Sequence, residues 1–141
     1  MPEPRIFTIP EAERTLPLVR GIVRDLMEDY PLWREAIVTY EQLTGPTRPD
    51  QAETDALRVA REAVSRRAER INAYLAELEQ IGCVFKGFDG GLVDFYSLRE
   101  DRLVFLCWRM GEERITHWHE VDTGFTGRQP IDPAMLIGVS S

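Results

Sequence analysis

Between Gly91 and Ile131 the chain gathers Asp94, Cys107, Trp108, Glu113, His117, His119 and Glu120, then runs into Gly124-Phe125-Thr126-Gly127-Arg128-Gln129-Pro130-Ile131. Both histidines of the protein lie in this stretch. The residues before it read mostly as helix-forming sequence without a comparable cluster, so small-molecule or metal chemistry is expected here. Histidines at i and i+2 of a strand project to the same side and can reach one cation. Glu113, or Glu120 if the chain turns there, would complete a two-histidine, one-carboxylate set suited to zinc or iron. The plainer alternative packs His117 among aromatic neighbours and leaves His119 or Glu120 in solvent. Neither a third histidine nor a motif-grade spacing decides between the two.

A turn at Met110-Gly111 would set Trp108 opposite Glu113, Leu106 opposite Ile115 and Val104 opposite His117. Glu113, Ile115, His117 and His119 would then share one face. Lys86, Asp94, Tyr96, Cys107, Arg114, Thr116 and Trp118 would share the other, with Lys86 beside Asp94. This second set reads either as a structural cross-strand charge cluster or as a polar pocket, with Asp94 as acid or base and Arg114 as an anion clamp. Cys107, on an apolar strand, reads as a small core residue. Pairing it with a histidine would require residues on opposite faces to meet. A register slip of one residue would exchange the faces. In the tail, Arg128 beside free glycine amides suits a carboxylate or phosphate. The alternative is a docked tail in which Phe125 and Ile131 pack on the core and Arg128 pairs with an acid.

Two long helices and a short sheet must hold these residues in place. Thr8 with Glu11 forms a capping-box pattern, and Pro10 suits a first turn. Leu16, Val19, Val23, Leu26, Tyr30, Trp33, Ile37 and Tyr40 then follow at spacings of three and four, one helical stripe. Pro17 and Pro31 predict a kink or short break. Leu43 to Pro49 is a loop by composition, and Asp50 with Glu53 offers a second capping box. Leu57, Ala60, Val64, Ala68, Ile71, Leu75 and Leu78 form the next stripe, and Gly82 is a natural stop. Each helix would span about thirty residues, ~45 Å, as arms of an antiparallel hairpin. Tyr30, Trp33 and Tyr40 read as core or interface.

From Val84 the period shortens to that of strands: 84–88, 92–98, 103–108 and 114–119, with turns at Asp89-Gly90-Gly91, Arg99-Glu100-Asp101 and Met110-Gly111. The expected fold is therefore α+β: a long helical hairpin (8–82) followed by a three- to four-stranded antiparallel meander and tail (83–141), in one domain. Leu103 to Trp108 is apolar on both faces, which predicts a strand covered on both sides. Helix stripes longer than a two-helix hairpin can bury point to self-association as a dimer.

The chain of 141 residues is 43% hydrophobic and 29% charged, the balance of a soluble globular domain. No apolar run approaches the ~20 residues that span a bilayer. The N-terminus has no secretory pattern. Two cysteines in neither a CxxC nor a dense framework predict reduced thiols and a cytoplasmic protein. A net charge of −7 argues against nucleic acid. The arginines at 58, 61, 66, 67 and 70 interleave with acids as a solvated face.

Several segments together carry a resemblance: Phe7-Thr8 with Glu11-Ala12, Leu16-Pro17, Gly91-Leu92-Val93-Asp94-Phe95, Leu106-Cys107-Trp108, Gly111-Glu112, Trp118-His119-Glu120, and Gly124-Phe125 with Gly127-Arg128-Gln129-Pro130. Over nearly its whole length the chain resembles a bacterial family called domain of unknown function 2203. The resemblance implies a small bacterial cytoplasmic protein of this size and supplies no reaction. It singles out Asp94, Trp108, Trp118, His119, Glu120, Arg128 and Gln129 as the polar and aromatic positions to place in a site. The ligand-binding candidates are thus Asp94, Trp108, Arg114, Trp118, Arg128 and Gln129. The metal candidates are Glu113, His117, His119 and Glu120, with zinc or iron as the ion, and no catalytic residue is assigned. The leading expectation is an oligomeric interaction module with a protein partner or a second copy; the alternative is a metal- or small-anion-binding enzyme.

Overall fold

The computed structural model describes residues 4–45 and 52–132. Thr8 opens helix α1 (Ile9–Thr44). Its hydroxyl accepts from the Glu11 amide at 3.2 Å, and the Glu11 carboxylate accepts from the Thr8 amide at 2.8 Å. This reciprocal box satisfies two amides that a helix start leaves without partners. The same bonds, the Thr8 amide foremost, hold the Glu11 carboxyl below its ordinary range.

Of the kink or short break expected at Pro17 and Pro31, the break does not occur, and α1 continues through both. Each proline withholds one amide, from the carbonyls of Glu13 and Met27. Burial of Leu16, Val19, Val23 and Leu26 on the flanking turns outweighs that loss. Helix α2 (Asp55–Ile81) starts later than the expected Asp50–Glu53 box. Asp50 lies outside the described residues. Thr54 is the cap, accepting from the Leu57 amide at 3.1 Å, while Glu53 grips Arg61 at 2.7 Å. Gly82 ends α2 at φ 106°, where an added Cβ would press to 3.0 Å of Arg5.

Strands β1 (Cys83–Gly87), β2 (Leu92–Arg99), β3 (Arg102–Arg109), β4 (His117–Glu120) and the two-residue β5 (Gln129–Pro130) form one antiparallel sheet in sequence order. The fifth strand, beyond the expected three to four, comes from the Gly-Arg-Gln-Pro tail, which a 3-10 turn at Phe125–Gly127 folds back beside β4. Strand alternation sends Val93, Phe95, Val104, Leu106, Trp108 and Trp118 towards the helices. There they meet Phe7, Leu16, Val19, Val23 and Leu26, with Ile71 and Leu78 of α2. The segment before α1 is tied to β2: the Phe7 amide donates to the Tyr96 carbonyl at 2.7 Å, and the Ser97 hydroxyl donates to the Phe7 carbonyl at 2.6 Å.

Burial along α1 stops at Asp29, which is held between the helices by Arg70 at 3.2 Å. The Tyr30 ring stacks on Phe88 at 3.9 Å, and from Arg34 onward α1 has no buried residue. The distal hairpin therefore has helix–helix contact but little support from the sheet.

The β2–β3 hairpin turns on Glu100 and Asp101, both left-handed (φ 52° and 63°). A two-residue turn of this kind matches the twist of the strands but strains residues that carry a Cβ. Replacing the pair by Asn-Gly is expected to stabilise the protein by about 1 kcal/mol. A rise in the urea midpoint at constant slope would show it, and an unchanged midpoint would count against strain at this turn.

Candidate metal centre

The side chains that meet on the far face of the sheet were split between faces by the expected hairpin. In the structure Val104 stands opposite Glu120, Phe105 opposite His119, Leu106 opposite Trp118 and Cys107 opposite His117. Compared with a Met110-Gly111 turn, which sets Val104 opposite His117, the register slips by three residues. An odd slip exchanges faces, so His119 comes round to Asp94 and Cys107, and Trp118 goes to the core. The cause is the connection, because Met110–Thr116 does not pair as a strand. Its backbone is satisfied elsewhere. The Trp108 indole donates to the Glu112 carbonyl at 2.8 Å, Arg20 donates to the Glu113 carbonyl at 3.1 Å, and the Ile115 amide donates to the Glu13 carboxylate at 3.2 Å. Ile115 is buried on the core, anchoring the loop.

Asp94 (β2), Cys107 (β3) and His119 (β4) thus sit on three adjacent strands, all on the face away from the helices. Their relative exposures are 1%, 1% and 3%. One donor atom from each lies within 4.8 Å of the other two. The His119 Nδ1 is 2.7 Å from the Glu120 carbonyl oxygen. A carbonyl only accepts, so the Nδ1 carries the proton. The ring is thereby oriented with Nε2 towards Asp94, 2.9 Å from Oδ2. The other Asp94 oxygen, Oδ1, is buried without a hydrogen-bond partner among the described residues. Burial pushes the Asp94 carboxyl above its ordinary value; His119, then Lys86 and Cys107, pull against that push.

Burial also pushes the Cys107 thiol up to about 11, with Asp94 adding to the rise and Arg128 opposing it. Cys83 is pushed up to about 12 by burial. Both thiols are unpaired. Neither is a free nucleophile at neutral pH, because the reactive species is the thiolate. Native metal-free protein is expected to resist iodoacetamide at pH 7.5 at both positions and to be alkylated at both once unfolded, as mass spectrometry would show. Rapid modification of Cys107 in the folded protein would contradict this environment.

The remaining sequence candidates are dispersed. His117 shares the far face but turns its Nδ1 to the Thr116 hydroxyl at 2.8 Å, and Glu113 is exposed in the loop. Glu120 makes a two-pronged pair with Arg102 at 2.9 Å. The set Glu113, His117, His119 and Glu120 therefore does not converge, and only His119 enters the cluster. Arg114 and Gln129 are exposed. Trp108 and Trp118 belong to the core face, the latter under the Arg99 guanidinium at 4.8 Å. Arg128 acts one layer out: it donates to the Cys107 carbonyl at 3.2 Å and to the Glu112 carboxylate at 2.6 Å. Sequence reasoning set Cys107 on the face of Asp94 but left His119 on the other, because the face of His119 depended on a loop whose bonds are tertiary.

With this geometry in view, a family profile described as "Uncharacterized conserved protein (DUF2203)" matches residues 5–131. The chain belongs to this family. No curated protein and no solved structure matches it. The DUF2203 match spans both helices and all five strands, so the cluster lies within the family region. Among the described residues of this DUF2203 chain, no helix is long and apolar enough to cross a membrane.

A cavity of about 190 Å³ opens above the cluster, with Asp94, Cys107 and His119 in its lining. Leu92 and Phe125 add apolar wall, and Lys86, Thr123 and Gly124 complete it. The Arg128 and Arg109 guanidiniums stand 5.0 Å and 5.6 Å from the Phe125 ring.

Proposed function

We propose that this protein binds a divalent metal, zinc by preference, through Asp94, Cys107 and His119. The observation that carries the reading is the Glu120 carbonyl, which fixes the His119 proton on Nδ1 and leaves Nε2 to face Asp94 and Cys107. Metal-bound histidines characteristically donate their second nitrogen to a carbonyl or carboxylate in this way. The unpartnered Asp94 oxygen supports it, since a buried carboxylate oxygen normally finds a donor or a cation. A thiolate, an imidazole and a carboxylate make a set that suits zinc. Their charges (−1, 0, −1) would balance a dication, so the loaded centre would be neutral in its buried site. Ligand atoms in a tetrahedral zinc shell stand about 3.5 Å apart, as bond lengths of ~2.0–2.3 Å require, so on loading the His119–Asp94 contact of 2.9 Å would open while wider separations close. Metal binding would also release the Cys107 proton that burial retains.

Three protein ligands leave a fourth position, and the cavity lies where that position would open. Such centres polarise a bound oxygen or activate water. The test is metal analysis of untagged protein purified without chelator and then incubated with zinc. About one equivalent per chain is expected in the native protein and in His117→Ala, with little in Cys107→Ser or His119→Ala. A native protein that holds no zinc, or an undiminished content in both ligand variants, would sink the assignment.

A second reading concerns assembly. Val38, Leu43 and Val59 are about half exposed on the distal hairpin, beside a groove that also includes Thr39, Ala56 and Ala63. Apolar surface on a helix pair with little support from the sheet favours self-association, as the long stripes predict. Val59→Glu is expected to shift a dimer to monomer in light scattering; a native protein already monomeric at micromolar concentration would remove this reading. The two unpaired, buried thiols fit a reducing, cytoplasmic compartment.

A further inference from the structure

The cavity over the cluster has its own chemistry. Its floor is the Asp94–Cys107–His119 set, and a loaded centre there would be neutral. The remaining formal charge in the lining is the Lys86 ammonium. Lys86 is exposed, its Nζ sits 4.7 Å from the Phe105 ring, and no salt bridge joins it to a carboxylate among the described residues. A neutral floor with one cation at the side attracts a single negative charge.

The walls narrow the choice further. Leu92 and Phe125 present hydrocarbon, and Phe125 is held in place by the Arg109 and Arg128 guanidiniums on its ring. Arg128 is itself engaged by Glu112 at 2.6 Å, and both guanidiniums pack on the ring. A phosphate dianion would bring more charge and more acceptor oxygens than one lysine and one open coordination position can satisfy. A carboxylate has two oxygens and one charge, which matches that pair of partners. The cavity of about 190 Å³ leaves room behind the head group for a short apolar body and no more.

We infer that the cavity binds a small monocarboxylate, one oxygen on the metal and the other facing Lys86, with a short hydrocarbon body between Leu92 and Phe125. This inference rests on the metal reading above. Phe125 and Lys86 set the selectivity, Phe125 for the body and Lys86 for the charge.

Cobalt(II)-loaded protein provides the test, because its thiolate charge-transfer band reports the metal centre and its visible bands report the fourth ligand. Titration with acetate, butyrate and inorganic phosphate is expected to perturb the visible bands with the carboxylates and not with phosphate. Butyrate should bind about tenfold more tightly than acetate, as two more buried methylenes dictate. Lys86→Met should weaken butyrate at least tenfold, an order-of-magnitude expectation for losing a charge-assisted contact, with its charge-transfer band as the control for an intact centre. Phe125→Ala should erase the difference between butyrate and acetate while keeping both perturbations. A charge-transfer band with visible bands indifferent to carboxylates overturns the inference and leaves the metal centre standing. Phosphate binding as tightly as butyrate, or an unaltered butyrate affinity in Lys86→Met, also overturns it. Absence of the charge-transfer band in the native protein removes the metal centre and the inference together.

Discussion

His119→Ala is expected to cost the metal-free protein about 3–5 kcal/mol of stability at pH 7, and clearly less at pH 4. Asp94 and His119 are 2% and 3% exposed at the side chain and 2.9 Å apart. Truncating the imidazole would leave the carboxylate buried without its hydrogen-bond partner, and that loss dominates the cost. The pH dependence follows from the direction of the Asp94 shift. Burial already raises this carboxyl in the folded protein, against the pull of His119. Without His119 it rises further. A group raised above its unfolded value of about 3.9 contributes stability that is fully present below that value and is lost as pH climbs through the folded value. At pH 4 the variant therefore buries a largely neutral acid. By pH 7 it must either ionise in the core or hold its proton against solvent. Urea unfolding with chelator at the two pH values measures the difference, and equal losses would mean that Asp94 is not the charge left behind. Asp94→Ala combined with His119→Ala should lose less than the sum of the two single changes, since the pair acts as a unit.

The helical half of the fold was legible because its signals are local. The Thr8–Glu11 box, the stripes from Leu16 and Leu57, and the glycine stop at 82 depend on neighbours within a turn or two. The structure places every residue of the Leu57–Leu78 stripe at least partly out of solvent. Of the kink or short break expected at Pro17 and Pro31 only the break is absent, because burial on either side outweighs one lost amide. The start of α2 moved to Thr54 because Glu53, the supposed box partner, is taken by Arg61.

The site was legible by composition and not by arrangement. Asp94, His119 and Cys107 all stood out within one stretch; Asp94 pairs with Val84, and Lys86 falls in the irregularity between Phe85 and Gly87 while lining the same cavity. Their convergence turned on whether the chain reversed at Met110-Gly111. The alternative, a loop whose carbonyls and amides bond to Trp108, Arg20 and Glu13, is written in residues up to about a hundred positions away. Ile115, an apolar residue between charged and polar neighbours, is buried in the structure and docks this stretch on the core. One strand's parity then decides whether His119 meets a carboxylate or the core, which is why period-two reasoning fails wholesale when it fails.

The same loop makes Trp108 the residue whose loss should travel furthest. Trp108 is the largest fully buried side chain, and Trp108→Ala is expected to cost about 3–5 kcal/mol by cavity formation. Trp108→Phe retains most of the bulk and removes the indole donor to the Glu112 carbonyl, a bond worth about 1 kcal/mol. Its larger consequence lies across the sheet. The Glu112 carboxylate accepts from the Arg109 amide at 2.8 Å and from Arg128 at 2.6 Å, and Arg128 in turn donates to the Cys107 carbonyl. Releasing Glu112 would loosen the brace on the Cys107 backbone and the guanidinium that positions Phe125. If zinc sits on Cys107, Trp108→Phe should weaken it by roughly 10–100-fold, the range typical of residues that orient ligands from outside. Competition with a chromophoric chelator measures that loss while the urea midpoint reports the modest change in stability. A variant with a lowered midpoint and unaltered zinc affinity would show that the Trp108–Glu112–Arg128 chain serves the core alone. A 10–100-fold loss would place the support of the metal centre on the opposite side of the sheet from the ligands themselves.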